Sequence, residues 1–252
     1  MIKIGVTGYN GRMGKIIAQQ VMSDDSVELS YGYRREDASG TNITDDLDVL
    51  FENSDVVIDF TRPSALMIQL EMAAQYNVPL VIGSTGLSQE HKALLTKYSK
   101  EVPIVYSSNM SVGVNVMLSL VQKAASMHDE SYDVEISELH HRHKVDAPSG
   151  TAISLGEAVQ IGQGLTPDSS GFQCRNHARK QGEIGFAIMR GGEVAGDHAV
   201  NFIGDQEVLT ISHRALSPDM FAKGAIKAAK WIIGKKPGLY SMQDVLGLKE
   251  QS

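Results

Sequence analysis

Cysteine is nearly missing from this sequence. Cys174 is the single one in 252 residues, which excludes an intrachain disulfide and a thiolate metal cluster and fits a reducing cytoplasm. Basic charge is also short: 23 Lys and Arg against 30 Asp and Glu give a formal net charge of -7. A general nucleic-acid binder carries a basic face, so nucleic acid is not an expected partner. Long apolar runs are absent; none approaches the ~18 residues of a membrane span. No repeat or low-complexity block occurs. The first apolar stretch reaches a glycine-rich turn at Gly8, too early for a signal peptide, so a cytoplasmic protein with no membrane partner is expected. An acidic total does not exclude a small anionic substrate, because local charge governs a cleft.

Hydrophobic residues make up 42% of the chain, enough for one or two domains. Residues 2–7, 27–33, 55–60, 79–83 and 103–107 read as short apolar strands. Helical patterns at 12–22, 64–76 and 89–100 separate them. This alternation predicts a Rossmann-like, doubly wound parallel sheet. After about residue 110 the pattern changes. A long helix over 112–127, a strand over 132–139 and a helix over 151–160 come first. Strands at 185–190, 193–202 and 208–215 then follow one another with no helix between them. That predicts an α+β second domain with a mixed or antiparallel sheet. An amphipathic helix over 221–233 can return to the first domain. The expected division is 1–110 with 217–252 as a dinucleotide-binding domain, and 111–216 as a second one. Residues 162–181 read as a polar loop.

Two regions carry chemistry. Gly8-Tyr9-Asn10-Gly11-Arg12-Met13-Gly14 follows a strand and opens a helix, where backbone N–H groups can meet a pyrophosphate. The commoner fingerprint has glycine where Asn10 stands; Asn tolerates left-handed backbone, which keeps the turn feasible. The second strand runs into Arg34-Arg35, where an NAD-selective site usually has an acidic residue. Two guanidinium groups suit a 2′-phosphate, so NADPH is expected ahead of NADH. Glu36 and Asp37 adjoin this pair. Gly83-Ser84-Thr85-Gly86 and Ser107-Ser108-Asn109-Met110 follow strands and can approach the nicotinamide side; ordinary loops would have the same pattern.

The second region is His140-His141-Arg142-His143-Lys144, leading into Asp146-Ala147-Pro148-Ser149-Gly150-Thr151. Imidazoles with near-neutral pKa can exchange protons. Lys144 brings positive charge. Ser149, Gly150 and Thr151 bring hydroxyls and N–H groups at a helix start, which suits a carboxylate. A zinc site from His140, His141 and His143 is the alternative, but the spacing fits no familiar zinc motif and Arg142 and Lys144 would repel a cation. No metal is expected. A surface cluster without catalytic work is the bland alternative.

These residues carry a resemblance. Glu138, His140, His141, Lys144, Asp146, Pro148, Ser149, Gly150, Thr151 and Ala152 form a Glu-x-His-His-x-x-Lys-x-Asp-x-Pro-Ser-Gly-Thr-Ala signature. With Gly8 to Gly14, Asp59-Phe60-Thr61-Arg62-Pro63 and the Gly83 turn, the chain resembles the 4-hydroxy-tetrahydrodipicolinate reductase (dihydrodipicolinate reductase) family of lysine and diaminopimelate biosynthesis. The resemblance implies NAD(P)H-dependent reduction of a small cyclic dicarboxylate. His140 is then the proton donor or acceptor, and Lys144 a proton donor and substrate contact. His141 and the backbone of Gly150 and Thr151 become substrate contacts, next to Ser149, which its place at the helix start already suggests. Gly8, Tyr9, Asn10, Gly11, Arg12, Met13, Gly83, Ser84, Thr85, Ser107, Ser108, Asn109 and Met110 become cofactor contacts. It further implies a homotetramer assembled through the second domain. Two positions depart from the family: Arg34 precedes Arg35 where many members have an acid, and Met110 replaces a residue that is often aromatic. Outside this family, the readings left are another two-domain NADP-dependent amino-acid or sugar-acid dehydrogenase, or a non-catalytic NADPH-sensing protein.

Overall fold

The computed structural model describes residues 1–35, 40–129 and 131–249; Glu36 and Asp37 lie outside them. The chain divides into two compact units, Met1–Val112 with the segment from Asp219, and Gly113–Pro218.

The first unit begins β1 (Ile2–Thr7), α1 (Arg12–Met22), β2 (Val27–Tyr33), with the bounds that periodicity predicts. It continues β3 (Ile43–Thr44), α2 (Leu47–Glu52), β4 (Val56–Asp59), a 3-10 turn (Pro63–Ala65), α3 (Leu66–Tyr76), β5 (Leu80–Ile82), α4 (Gln89–Tyr98) and β6 (Pro103–Tyr106). The sheet has seven parallel strands ordered β11-β6-β5-β4-β1-β2-β3, where β11 is Gly238–Tyr240 near the C-terminus. Its central strands are mostly apolar, and β4 is buried at every residue, Asp59 included, because helices cover both faces. On one face Ile17, Ala18 and Val21 of α1 pack with Ala222, Ala225 and Ala229. Those alanines belong to α7 (Asp219–Ile232), which precedes α8 (Met242–Val245). On the other face Leu50, Leu70, Leu80 and Leu95 form a second cluster.

The second unit holds α5 (Val112–Ala125), β7 (Asp133–His140), α6 (Gly150–Gly162), β8 (Ile184–Arg190), β9 (Gly196–Ile203) and β10 (Val208–Ala215). The sheet order is β10-β9-β7-β8; β7 and β8 run parallel and the other pairs antiparallel. The parallel pair requires a crossover, which α6 and the loop after it supply. Alternation along β7 buries Val134, Ile136, Glu138 and His140 on one face, where Val121, Leu155 and Val159 cover the apolar pair. The opposite face leaves Met189 and Val208 about half exposed, at 51% and 57%.

Candidate active site

In the first unit, the loops at the C-terminal ends of β1, β4 and β5 are tied by one carboxylate. Asp59 ends β4 and is 1% exposed. Its Oδ1 accepts hydrogen bonds from Thr7 Oγ1 at 2.6 Å, Thr61 Oγ1 at 2.6 Å and Thr61 N at 3.1 Å. Its Oδ2 accepts from Ser84 Oγ at 3.3 Å, and Ser84 also donates to Thr61 O at 2.7 Å. The left-handed residue of the β1–α1 turn is Gly8, at φ 63. The turn is feasible with Asn at position 10 because the left-handed residue stands two positions earlier; Asn10 is exposed, with Oδ1 accepting from Arg34 Nη1 at 3.4 Å. A β-carbon on Gly14 would overlap the Gly8 carbonyl, so the helix starts tight against the turn. Gly11 caps α1 without a side-chain hydrogen bond, and no acidic residue sits in the first turn. Its leading N–H groups thus carry no side-chain cap, the condition under which a helix start suits an anion.

A cavity of about 620 Å³ opens beside this turn, lined by Gly8, Asn10, Arg34, Arg35 and, unexpectedly, Arg62. Other expected cofactor residues are placed differently. Arg12, Thr85 and Ser108 are exposed. Tyr9 and Met13 pack against the first core, and Met110 is buried within it; the Met110 carbonyl meets α7 at Gly224, where a β-carbon would overlap it. Gly83 is buried against the Phe60 ring, and a side chain there would overlap it. Ser107 Oγ donates to Asn109 O at 2.7 Å, and Asn109 Oδ1 accepts from Ser111 N at 2.9 Å, which fixes the loop after β6.

In the second unit, period-two alternation puts Glu138 and His140 on the same buried face of β7. Register sets His198 of β9 opposite Glu138, and Arg190 of β8 beside His140. Glu138 Oε1 accepts from Arg190 Nη2 at 2.9 Å and Ser149 N at 3.1 Å. Its Oε2 lies 3.4 Å from His140 Nδ1 and 3.6 Å from His198 Nε2. Burial pushes the Glu138 carboxyl up, but hydrogen bonds from His198, Ser149 and Arg190 outweigh it and lower its pKa to about 2. Burial, then the charge of His198, lowers the pKa of His140 to about 4, with Glu138 opposing. His140 is therefore a neutral imidazole near neutrality. Lys144 Nζ pairs with Asp146 Oδ1 at 2.8 Å.

Other parts of the tract diverge. Arg142 and His143 point to Glu193, at 3.8 and 4.0 Å, and His143 is 73% exposed. His143 thus stands away from the face that holds His140, and the zinc trio of His140, His141 and His143 is not assembled. A different group, Glu138, His140 and His198, brings ligand-type atoms within 4.8 Å of one another, but the Arg190 guanidinium already occupies Glu138 Oε1. Ser149 is 2% exposed; its Oγ caps α6 through Ala152 N and shares a 3.1 Å hydrogen bond with His198 Nε2. The hydroxyl expected to hold substrate thus supports the site from inside. In the first turn of α6, Gly150 is exposed and Thr151 part-exposed.

Residues 2–110 match the model of the dihydrodipicolinate reductase N-terminus, and residues 113–246 that of its C-terminus. The chain belongs to the dihydrodipicolinate reductase family. A 4-hydroxy-tetrahydrodipicolinate reductase of Anaplasma marginale is 45% identical over 259 residues, covering 97% of this chain and 99% of that one. Another, of Burkholderia multivorans, is 42% identical over 265 residues, covering 98% and 100%. Among solved structures, dipicolinate-bound dihydrodipicolinate reductase from Paenisporosarcina sp. TG-14 has a TM-score of 0.79 at 22% identity, over 97% of this chain and 98% of that one. Scyllo-inositol dehydrogenase from Lactobacillus casei has a TM-score of 0.59 at 14% identity, over 98% and 94%. These two likenesses concern fold. Membership of this reductase family, with a doubly wound sheet, implies a nicotinamide cofactor, and the uncapped glycine turn fits its pyrophosphate.

Sequence reading gave Asp59 and Arg62 no site role beyond the shared motif, and did not single out Arg190 or His198. The signal was present: Asp59 and Arg190 are charged residues at a strand's end, His198 is a titratable residue inside an alternating strand, and Arg62 opens the turn just after β4.

Proposed function

We propose that this protein reduces 4-hydroxy-tetrahydrodipicolinate to tetrahydrodipicolinate in lysine and diaminopimelate biosynthesis, with NADPH preferred over NADH. One hydride and one proton are added and one water is lost. When bound, the cofactor supplies the hydride. The observation that carries this reading is the Glu138–His140 cluster beside the α6 N-terminus, in a chain matched along its length by reductases.

The protein's own residues supply positioning and protons. The N-terminal turn of α6, with Gly150 and Thr151, holds a substrate carboxylate, aided by His141 and Lys144. Holding both carboxylates orients the ring for attack and stabilises charge that develops on it. Lys144, an ammonium beside Asp146, donates the proton. His140, neutral because it is buried, accepts and passes on a proton. Gly8, Gly11, Arg12 and Met13 hold the pyrophosphate through backbone N–H groups. Tyr9 and Asn10 shape that turn. Arg34, Arg35 and Arg62 surround the cavity that takes the 2′-phosphate. Thr85, Ser107, Ser108 and Asn109 border the nicotinamide. Met110, whose side chain is buried, contributes its backbone, as do Gly83 and Ser84.

The uncovered sheet face of the second unit, with Leu139 and Met189 around a hollow of about 440 Å³, suits pairing between subunits of a homotetramer. A cytoplasmic location is part of this reading; no described helix is long and apolar enough to cross a membrane. Nicotinamide oxidation measured with freshly generated cyclic substrate, beside a panel of amino and sugar acids, tests the reading. Turnover with the cyclic substrate alone is expected. Turnover with a panel member instead would make it a different dehydrogenase, and NADPH binding without turnover would make it a sensor.

A further inference from the structure

Glu138 is the most enclosed charge of its cluster, its side chain being 1% exposed. A buried carboxylate without partners is costly, and here three other elements meet it. Arg190 of β8 and the Ser149 N–H at the start of α6 take Oε1. Oε2 shares the Ser149 N–H at 3.3 Å and faces the imidazoles of His140 and of His198 on β9. The 3.4 Å approach of His140 Nδ1 is longer than a formed hydrogen bond; proton-transfer groups often stand off this way before reactants seat.

An ionised carboxylate only accepts hydrogen bonds, and a neutral imidazole has a single N–H. The His140 nitrogen that faces Glu138 therefore carries the proton, and Nε2 keeps its lone pair. Nε2 lies 3.0 Å from the place a β-carbon on Gly196 would take. Glycine at 196 thus keeps the space beside that nitrogen clear, where any other residue would crowd it. His198 closes the far side of the carboxylate and is itself tied to Ser149 Oγ.

We infer that Glu138, clamped by Arg190, is a positioning residue that fixes His140 as the Nδ1–H tautomer and presents Nε2 as the basic nitrogen beside Gly196. Its catalytic consequence rests on the proposed role of His140 in proton transfer; the tautomer itself does not.

Protein labelled with nitrogen-15 at histidine, studied by long-range proton–nitrogen NMR at neutral pH, tests the tautomer directly. The His140→Gln variant identifies the His140 signals. Protonated Nδ1 and bare Nε2 are expected; a proton on Nε2 overturns the inference without any Glu138 variant having to fold. The kinetic arm uses Glu138→Gln, which keeps the shape and removes the charge. Its kcat should fall about 10²-fold, the scale of a disabled acid–base group. KM for both reactants should stay within about threefold, since ground-state binding is untouched. On a His140→Gln background the same change should add nothing, because coupled residues are not additive. Where His140→Gln itself lowers kcat, a loss that multiplies in full on that background, or no loss in kcat from Glu138→Gln, overturns the inference. If His140→Gln alone leaves kcat intact, the proton-transfer role falls, while the tautomer still decides what Glu138 does.

Discussion

Asp59 and Glu138 are two buried carboxylates of nearly equal enclosure, 1% and 2% exposed, in surroundings that differ. Asp59 meets neutral donors: the hydroxyls of Thr7, Thr61 and Ser84 and one backbone N–H. Glu138 meets a guanidinium, a backbone N–H and two imidazoles. The first ties backbone loops into a rigid arrangement. The second sets the protonation of neighbouring side chains. Holding a diphosphate needs fixed N–H directions, whereas moving a proton needs groups whose charge state is controlled. The same carboxylate serves either purpose, depending on whether its donors titrate.

The sharpest way to break this division is His140→Gln. It should lower kcat by about 10²–10⁴-fold and leave the NADPH Kd within about threefold, since a group used only in the transition state adds nothing to ground-state binding. Steady-state kinetics beside a fluorescence titration measure both. Equal loss of rate and of cofactor affinity would erase the distinction.

Asp59→Ala should do the opposite. Its buried donors would lose their acceptor at about 1–3 kcal/mol each, so urea unfolding should show a loss of about 3 kcal/mol or more, with NADPH binding weakened in parallel. Unchanged stability would mean that the loops are held by something else.

Acid titration sharpens the contrast from the other side. His140 has a folded pKa of about 4 against an ordinary 6.5, so as pH falls the unfolded chain takes up the proton first. Stability is full above 6.5 and declines toward 4, by about 3 kcal/mol. Glu138, held at about 2 against 4.5, adds a further loss as pH falls through that lower range. Thermal melts across this span should show the decline, and His140→Gln should flatten its upper part. An equally steep decline in the variant would place the proton uptake elsewhere. The smallest effect is expected at the cofactor's edge. Arg34→Glu removes a charged contact of about 1.5–3 kcal/mol, moving the kcat/KM ratio of NADPH to NADH by about 10-fold or more toward NADH. An unchanged ratio would remove Arg34 from the 2′-phosphate.

Much of this was legible in the chain. β1, α1, β2 and β10 have the predicted bounds, because their apolar periods run for six residues or more between clear breakers. β3, α2, β11 and α8 were not expected; they span two to six residues, too few for a period to register. The strand expected from 193 starts at Gly196, since Gly191 and Gly192 extend the turn before it. The His-His-x-x-Lys tract and the glycine turn could be seen because they are contiguous. Arg190 and His198 reach Glu138 only through strand register, and a slip of one residue would turn either to the other face. Ser149 looked like a ligand because a hydroxyl at a helix start serves an anion or a cap equally well. Burial decides for the cap.

Direct hydride transfer is the claim on which the functional account depends. Incubating the protein with NADPH deuterated at the transferring position and freshly made cyclic substrate, then weighing the product by mass spectrometry, tests it most directly. The account predicts tetrahydrodipicolinate carrying one deuterium from the cofactor. Product free of deuterium, or deuterated cofactor recovered unspent, would contradict it.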